Sequence, residues 1–226
     1  MKYIPDTTGR FKERPLLAPQ DIEYECEKMI LDCLEKRKQA DFVPPLDTDT
    51  LNVLLEEHAE DVNLYADLQQ GGGPGIVEGV TEFRKGRAPR ILIDRKLSEQ
   101  KNLNRLRSTM AHELFHARFH RALWELYWLG NGDPTPASCK EDQIFLSGKV
   151  DWYEWQAAYG SGAILMPLLG LERMVGRPTQ IAESGTEGLA MIFKVASEFL
   201  VSTAAARVRL IQTNYLLDQR KTSVLR

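Results

Sequence analysis

Residues 109–120 read TMAHELFHARFH and hold three of the chain's four histidines, His112, His116 and His120. On a helix, residues four apart lie on one face, one turn above each other. His112 and His116 can therefore aim two imidazole nitrogens at one point, and a tetrahedral zinc ion takes such nitrogens as two of its corners. Glu113 flanks the same face. Its carboxylate is placed to act as a general base, taking a proton from a metal-activated water and passing it to a leaving amine. The flanking Met110, Ala111, Leu114 and Phe115 are apolar. They bury this helix face, where imidazoles and a carboxylate need partners.

A catalytic zinc site needs a third protein ligand and an open position. His120 extends the row by four residues. Each such step rotates about 40°, so three successive turns do not meet at one ion on an unbent helix. His120 is accordingly expected at the surface or behind the ligands. The position ten after His112 is Ala122, which excludes the three-histidine metzincin pattern. Glu125, Cys139, Glu141, Asp142 and Glu154 remain as rivals. Glu154 alone lies on the next strongly helical segment. Tyr153, Tyr159 and Arg107 are candidates for stabilising an oxyanion.

Elements able to position these groups are legible around them. In residues 21–38, Ile22, Cys26, Met29, Ile30, Cys33 and Leu34 recur at three and four, the mark of an amphipathic helix. A second helix is expected after a cap within 47–50, ending near His58, a helix-end histidine. Residues 62–68, 76–83 and 90–94 read as strands joined by short loops, which predicts a small, mostly antiparallel three-stranded sheet. The glycine run in 69–75 lacks the Lys-Ser/Thr pair of a phosphate cradle and is read as a loop. Helix is predicted again from about Ser98 to Leu126, then a loop over 130–138. A helix over 151–166 is stopped by Pro167, with Trp152 and Trp155 packed in the core. Two helices between 186 and 218 are split near Val201-Ser202. Residues 1–20, rich in proline and charge, are expected to be an irregular arm.

The net charge of −3 advertises no broad nucleic-acid surface. Three cysteines without framework spacing suit free thiols in a reducing cytoplasm. No apolar run suggests a leader peptide or a membrane helix, so a soluble, cytoplasmic protein without membrane contact is expected.

Arg107, Thr109, Ala111-His112-Glu113-Leu114 and His116, with His120 following, resemble the signature helix of the ImmA/IrrE family of metallo-endopeptidases. Glu154, Ala157 and the terminal Leu165-Met166-Pro167 resemble that family's second motif, whose glutamate is the third zinc ligand. The resemblance therefore implies Zn2+ held by His112, His116 and Glu154, with Glu113 as catalytic base. Phe115 stands where the family commonly has glycine, Ala158 where it has asparagine, and Gly160 where it has phenylalanine. A third stretch, 196–210, is similar to the family's helix-turn-helix-like tail.

The fold expected is α+β: a mainly helical zincin-like metallopeptidase core with the small sheet, over 21–180, and a C-terminal helix-turn-helix-like segment over 181–226 packed on it. Members of the family act on transcriptional repressors of bacteria and their mobile elements. The resemblance thus implies an anti-repressor protease cutting a helix-turn-helix partner, held by β-augmentation at an exposed edge of 76–83 or 90–94. The alternative is a non-proteolytic, zinc-containing regulator that binds DNA or a repressor. Arg207, Arg209, Arg220, Lys221 and Arg226 speak for DNA. The acidic balance and the alanine-rich stretch after Ser202 speak against it.

Overall fold

The structure is a computed structural model that describes residues 2–39, 41–69, 77–131, 137–140 and 151–218. The glycine run beyond Gln69, Glu141, Asp142, Arg220, Lys221 and Arg226 lie outside the described residues, as does most of the loop expected over 130–138.

The amino-terminal arm is not irregular. β1 (Lys2–Pro5) and β2 (Glu13–Leu16) pair as an antiparallel hairpin. Two side chains in its turn anchor it. Asp6 accepts a 2.8 Å hydrogen bond from Trp152 Nε1, and buried Phe11 meets Trp124 edge-on at 4.9 Å. Both anchors are far away in sequence, so local composition alone reads as a loop.

α1 (Pro19–Lys36) buries Ile22, Cys26, Met29, Ile30, Cys33 and Leu34, the stripe read from the sequence. α2 (Thr48–His58) starts at Asp47, whose side chain accepts from Thr50 N at 2.7 Å. Such a cap stabilises a helix by about 1 kcal/mol. His58 is the last residue of α2 and half-buried.

β3 (Asp61–Ala66), β4 (Gly79–Phe83), β5 (Arg90–Asp94) and β6 (Ala137–Lys140) form one sheet in the order β3-β5-β4-β6. Its β3–β5 pair is parallel and the other two pairs are antiparallel. The three expected strands are present, and a fourth, which starts at the end of the expected loop and runs beyond it, covers the outer side of β4. Among the described residues neither β4 nor β5 is therefore a sheet edge, which leaves the β-augmentation expected there without an open strand side. In register, Cys139 of β6 stands opposite Thr81 of β4.

α3 (Leu103–Phe115) continues through a π-helical turn (His116–His120) into α4 (Arg121–Asn131). α5 (Trp152–Leu165) starts at Asp151, which caps Tyr153 N at 3.0 Å. It is buried on nearly every side, as a central helix must be. α3 and α1 are the elements packed most closely on it. Trp152 is buried, but Trp155 is 37% exposed against Tyr159. The expectation that both tryptophans enter the core fails because Trp155 falls on the helix's one wet stripe.

α6 (Leu168–Val175) follows Pro167, and β7 (Ile181–Ala182) pairs in parallel with β8 (Leu216–Leu217). Between them α7 (Thr186–Phe199) and α8 (Thr203–Gln212) are bent 112° to each other. Leu200, in the left-handed region at φ 51°, opens the turn, and Ser202 caps α8. Phe199, Leu210 and Leu216 join α1, α3 and α5 in one continuous core. Buried Arg209 fixes this union through two hydrogen bonds to Glu23 of α1, at 2.5 and 2.6 Å. Among the described residues no single helix is long and apolar enough to cross a membrane.

Candidate metal centre

α3 and α5 face each other, and His112, His116 and Glu154 meet between them. His112 Nε2 lies 3.1 Å from Glu154 Oε2, and His116 Nε2 lies 3.3 Å from the same oxygen. The two Nε2 atoms are 3.1 Å apart. All three residues are at most 3% exposed. Glu154 sits in the first turn of α5, where the helix dipole favours a negative charge. Burial raises the Glu154 pKa, but the adjoining imidazoles of His112 and His116 outweigh it and hold the carboxyl well below its usual range. Burial pushes the His116 imidazole down, with Glu154 partly opposing. Neutral imidazoles and an ionised carboxylate are the protonation states that ligate a metal. Among the described residues this trio is the group of donors able to hold an ion. Two imidazole nitrogens and one carboxylate oxygen, crowded together away from water, fit a divalent cation such as zinc.

Glu113 is buried beside them and held from the sheet. Thr81 of β4 donates to Glu113 Oε2 at 2.6 Å. Gly79, two residues earlier and on the same face of the strand, is the only residue type that fits there. A methyl at Gly79 would lie 2.5 Å from Glu113 Oε1 and 2.7 Å from Thr109 Cγ2. β4 thus presses on α3 at the carboxylate. The sequence reading missed Thr81, although alternation along the strand puts Gly79, Thr81 and Phe83 on one face.

His120 is wholly buried, not at the surface. The π turn carries it next to His116, with Nδ1 atoms 2.8 Å apart, and its Nε2 is 3.0 Å from Gln156 Oε1. Gln156, also missed, lies two residues after Glu154 and is 1% exposed. The ring of Tyr153 stacks on His120 at 3.9 Å and tilts over His116 at 4.7 Å. Its hydroxyl accepts from Trp124 Nε1 at 3.0 Å. Tyr153 therefore walls the centre.

The other two oxyanion candidates are engaged elsewhere. Arg107 donates to the carbonyls of Phe199 and Leu200 at 3.3 Å, closing the end of α7. Tyr159 donates to Glu23 at 2.8 Å. Glu125 is turned to Arg121, 3.9 Å away on its own helix.

A cleft of about 470 Å³ runs along the preceding turns of α3, lined by Glu78, Arg105, Ser108, Thr109 and Leu165. Thr109 Oγ1 is buried there without a hydrogen-bond partner among the described residues.

The profile of a peptidase family, described as the IrrE N-terminal-like domain, matches residues 76–211, more than half the chain. The match includes every residue of the site. A comparison with curated proteins finds no significant match.

Proposed function

The chain belongs to the IrrE N-terminal-like family of metallopeptidases, and on that premise we propose that it is a zinc-dependent endopeptidase that cleaves a helix-turn-helix transcriptional repressor. The observation that carries the hydrolase is the convergence of His112, His116 and Glu154 beside Glu113, which the sheet holds through Thr81. A purely structural metal site has no use for a carboxylate at that position.

His112, His116 and Glu154 would hold the zinc. When bound, zinc supplies Lewis acidity to the scissile carbonyl and the attacking water. Glu113 accepts the water's proton on its carboxylate and returns it to the amine nitrogen as the peptide bond breaks. Thr81 keeps one carboxylate oxygen fixed, so the proton moves at the other. Tyr153 and the packed core keep bulk water from the imidazoles.

The repressor as substrate, and a cytoplasmic location, rest on the family resemblance. Direct nucleic-acid binding is not favoured. Arg207 is paired with Glu183 at 2.5 Å and Arg209 is buried against Glu23, so neither offers its charge to a phosphate. The outward face of α8 carries Thr203, Ala204 and Val208, which read few base edges.

The test separates cutting from binding. The parent protein and Glu113→Gln are incubated with candidate helix-turn-helix repressors. Cleavage is read by mass spectrometry and association by co-elution. Cleavage by the parent alone, with association by both, is the expected result. Association without cleavage by the parent overturns the protease in favour of a regulator that only binds.

A further inference from the structure

His120 takes no part in the chemistry above, yet it is wholly buried and ordered on three sides. His116 Nδ1 is 2.8 Å from one ring nitrogen, Gln156 Oε1 is 3.0 Å from the other, and Tyr153 stacks on the ring at 3.9 Å with only 24° between the planes. A neutral imidazole has one donor and one acceptor nitrogen, and an amide oxygen only accepts. Gln156 Oε1 therefore fixes the His120 proton on Nε2. His120 Nδ1 is left as an acceptor, so His116 must donate from its own Nδ1. The His116 lone pair then sits on Nε2, the atom facing His112 and Glu154. Were a donor to stand at Gln156 Oε1 instead, both protons would shift by one nitrogen. His116 Nε2 would carry hydrogen and could not ligate.

We infer that Gln156 and His120 form a tautomer relay that presets His116 as a metal ligand. Both are positioning residues, and the relay rests on the metal-centre reading. The π turn is what makes it possible, because it brings a histidine four residues on beside its predecessor's outer nitrogen. Partners that orient a ligating histidine through its second nitrogen are a general feature of metal sites. Here the partner is a second imidazole, and the orienting atom is an amide one residue further out.

The test uses the intact chain with zinc. Ring-nitrogen NMR of the parent assigns the tautomers, chelator competition gives the zinc affinity, and melting of the metal-free protein reports the fold. His120 protonated at Nε2 and His116 at Nδ1 are expected. Gln156→Leu and His120→Phe, which keep shape and stacking, weaken zinc binding about 10- to 100-fold. Gln156→Glu keeps an acceptor and stays close to the parent. Should a variant fail to fold, the parent's spectrum decides: the opposite tautomers overturn the relay. So does parent-like zinc affinity in Gln156→Leu. A parent that takes up no zinc overturns the metal centre itself, and the relay with it, which is a different result from tight binding indifferent to Gln156.

Discussion

Phe115 and Gly160 occupy one shared volume: a methyl at Gly160 would lie 2.0 Å from Cδ2 of the Phe115 ring. They are two of the three positions named above as departures from the pattern that the chain resembles. The departures are reciprocal. By the family resemblance, phenylalanine would stand on α5 and glycine on α3; here the two are exchanged, and the ring of Phe115 fills the space beside Gly160 where α3 and α5 touch. The Phe115 ring has little room to yield, because Phe119 and His120 lie 4.6 and 5.4 Å from it.

This exchange predicts a change of sign. Gly160→Ala overpacks the parent and costs about 1–3 kcal/mol, more than the helix propensity of about 1 kcal/mol that alanine adds. With Phe115→Ala the obstruction is gone, and the same Gly160→Ala then raises stability above that of the single Phe115→Ala variant. Urea unfolding of the four proteins in this cycle measures the coupling. Equal effects of Gly160→Ala in both backgrounds would show that the two residues are independent.

Thr81→Val removes the hydroxyl that holds Glu113 while keeping the side chain's shape. A loss of about tenfold in kcat is expected, at unchanged zinc content. Thr81→Ser should restore most of it. Gly79→Ala should be worse, since it pushes the carboxylate itself. A kcat for Thr81→Val equal to the parent's would mean that the sheet does not position the base.

His58 links stability to pH. Burial, with some help from Arg118 and opposed by Glu57, lowers its pKa from an ordinary 6.5 to about 4. Between these values the unfolded chain binds a proton that the folded chain refuses. Stability from this group is therefore complete above pH 6.5, falls as the pH drops toward 4, and levels off below. For a ring that is partly solvent-screened the loss is at most about 2 kcal/mol. Urea midpoints at pH 7 and 4.5 should fall further apart in the parent than in His58→Gln. An identical pH dependence in the two proteins rules out His58 as the source.

Local patterns made much of this legible. The α1 stripe, the capped α2, the strand Arg90–Asp94 and the split between α7 and α8 follow from periodicity and caps within each segment. His112, Glu113 and His116 are legible for the same reason, because one helix turn sets their spacing. Spacing alone leaves Glu154 one rival among several, and only the resemblance to the family's second motif selects it. What escaped depends on contacts between distant segments. The hairpin at residues 2–16 is ordered by Trp124 and Trp152, and β6 exists by pairing with β4. A regular α-helix leaves His120 either at the surface or behind the ligands; the π turn, which has no short-range signature, selects the second. Thr81 and Gln156 gain their roles only when β4 and α5 are brought against α3.

Zinc content after exhaustive dialysis tests the central claim most directly, measured by elemental analysis on the parent and on Glu154→Ala. About one zinc per chain is expected for the parent, and essentially none for Glu154→Ala at equal folded content. A parent that emerges free of metal, or a Glu154→Ala protein that keeps its full zinc, would contradict a centre built from His112, His116 and Glu154.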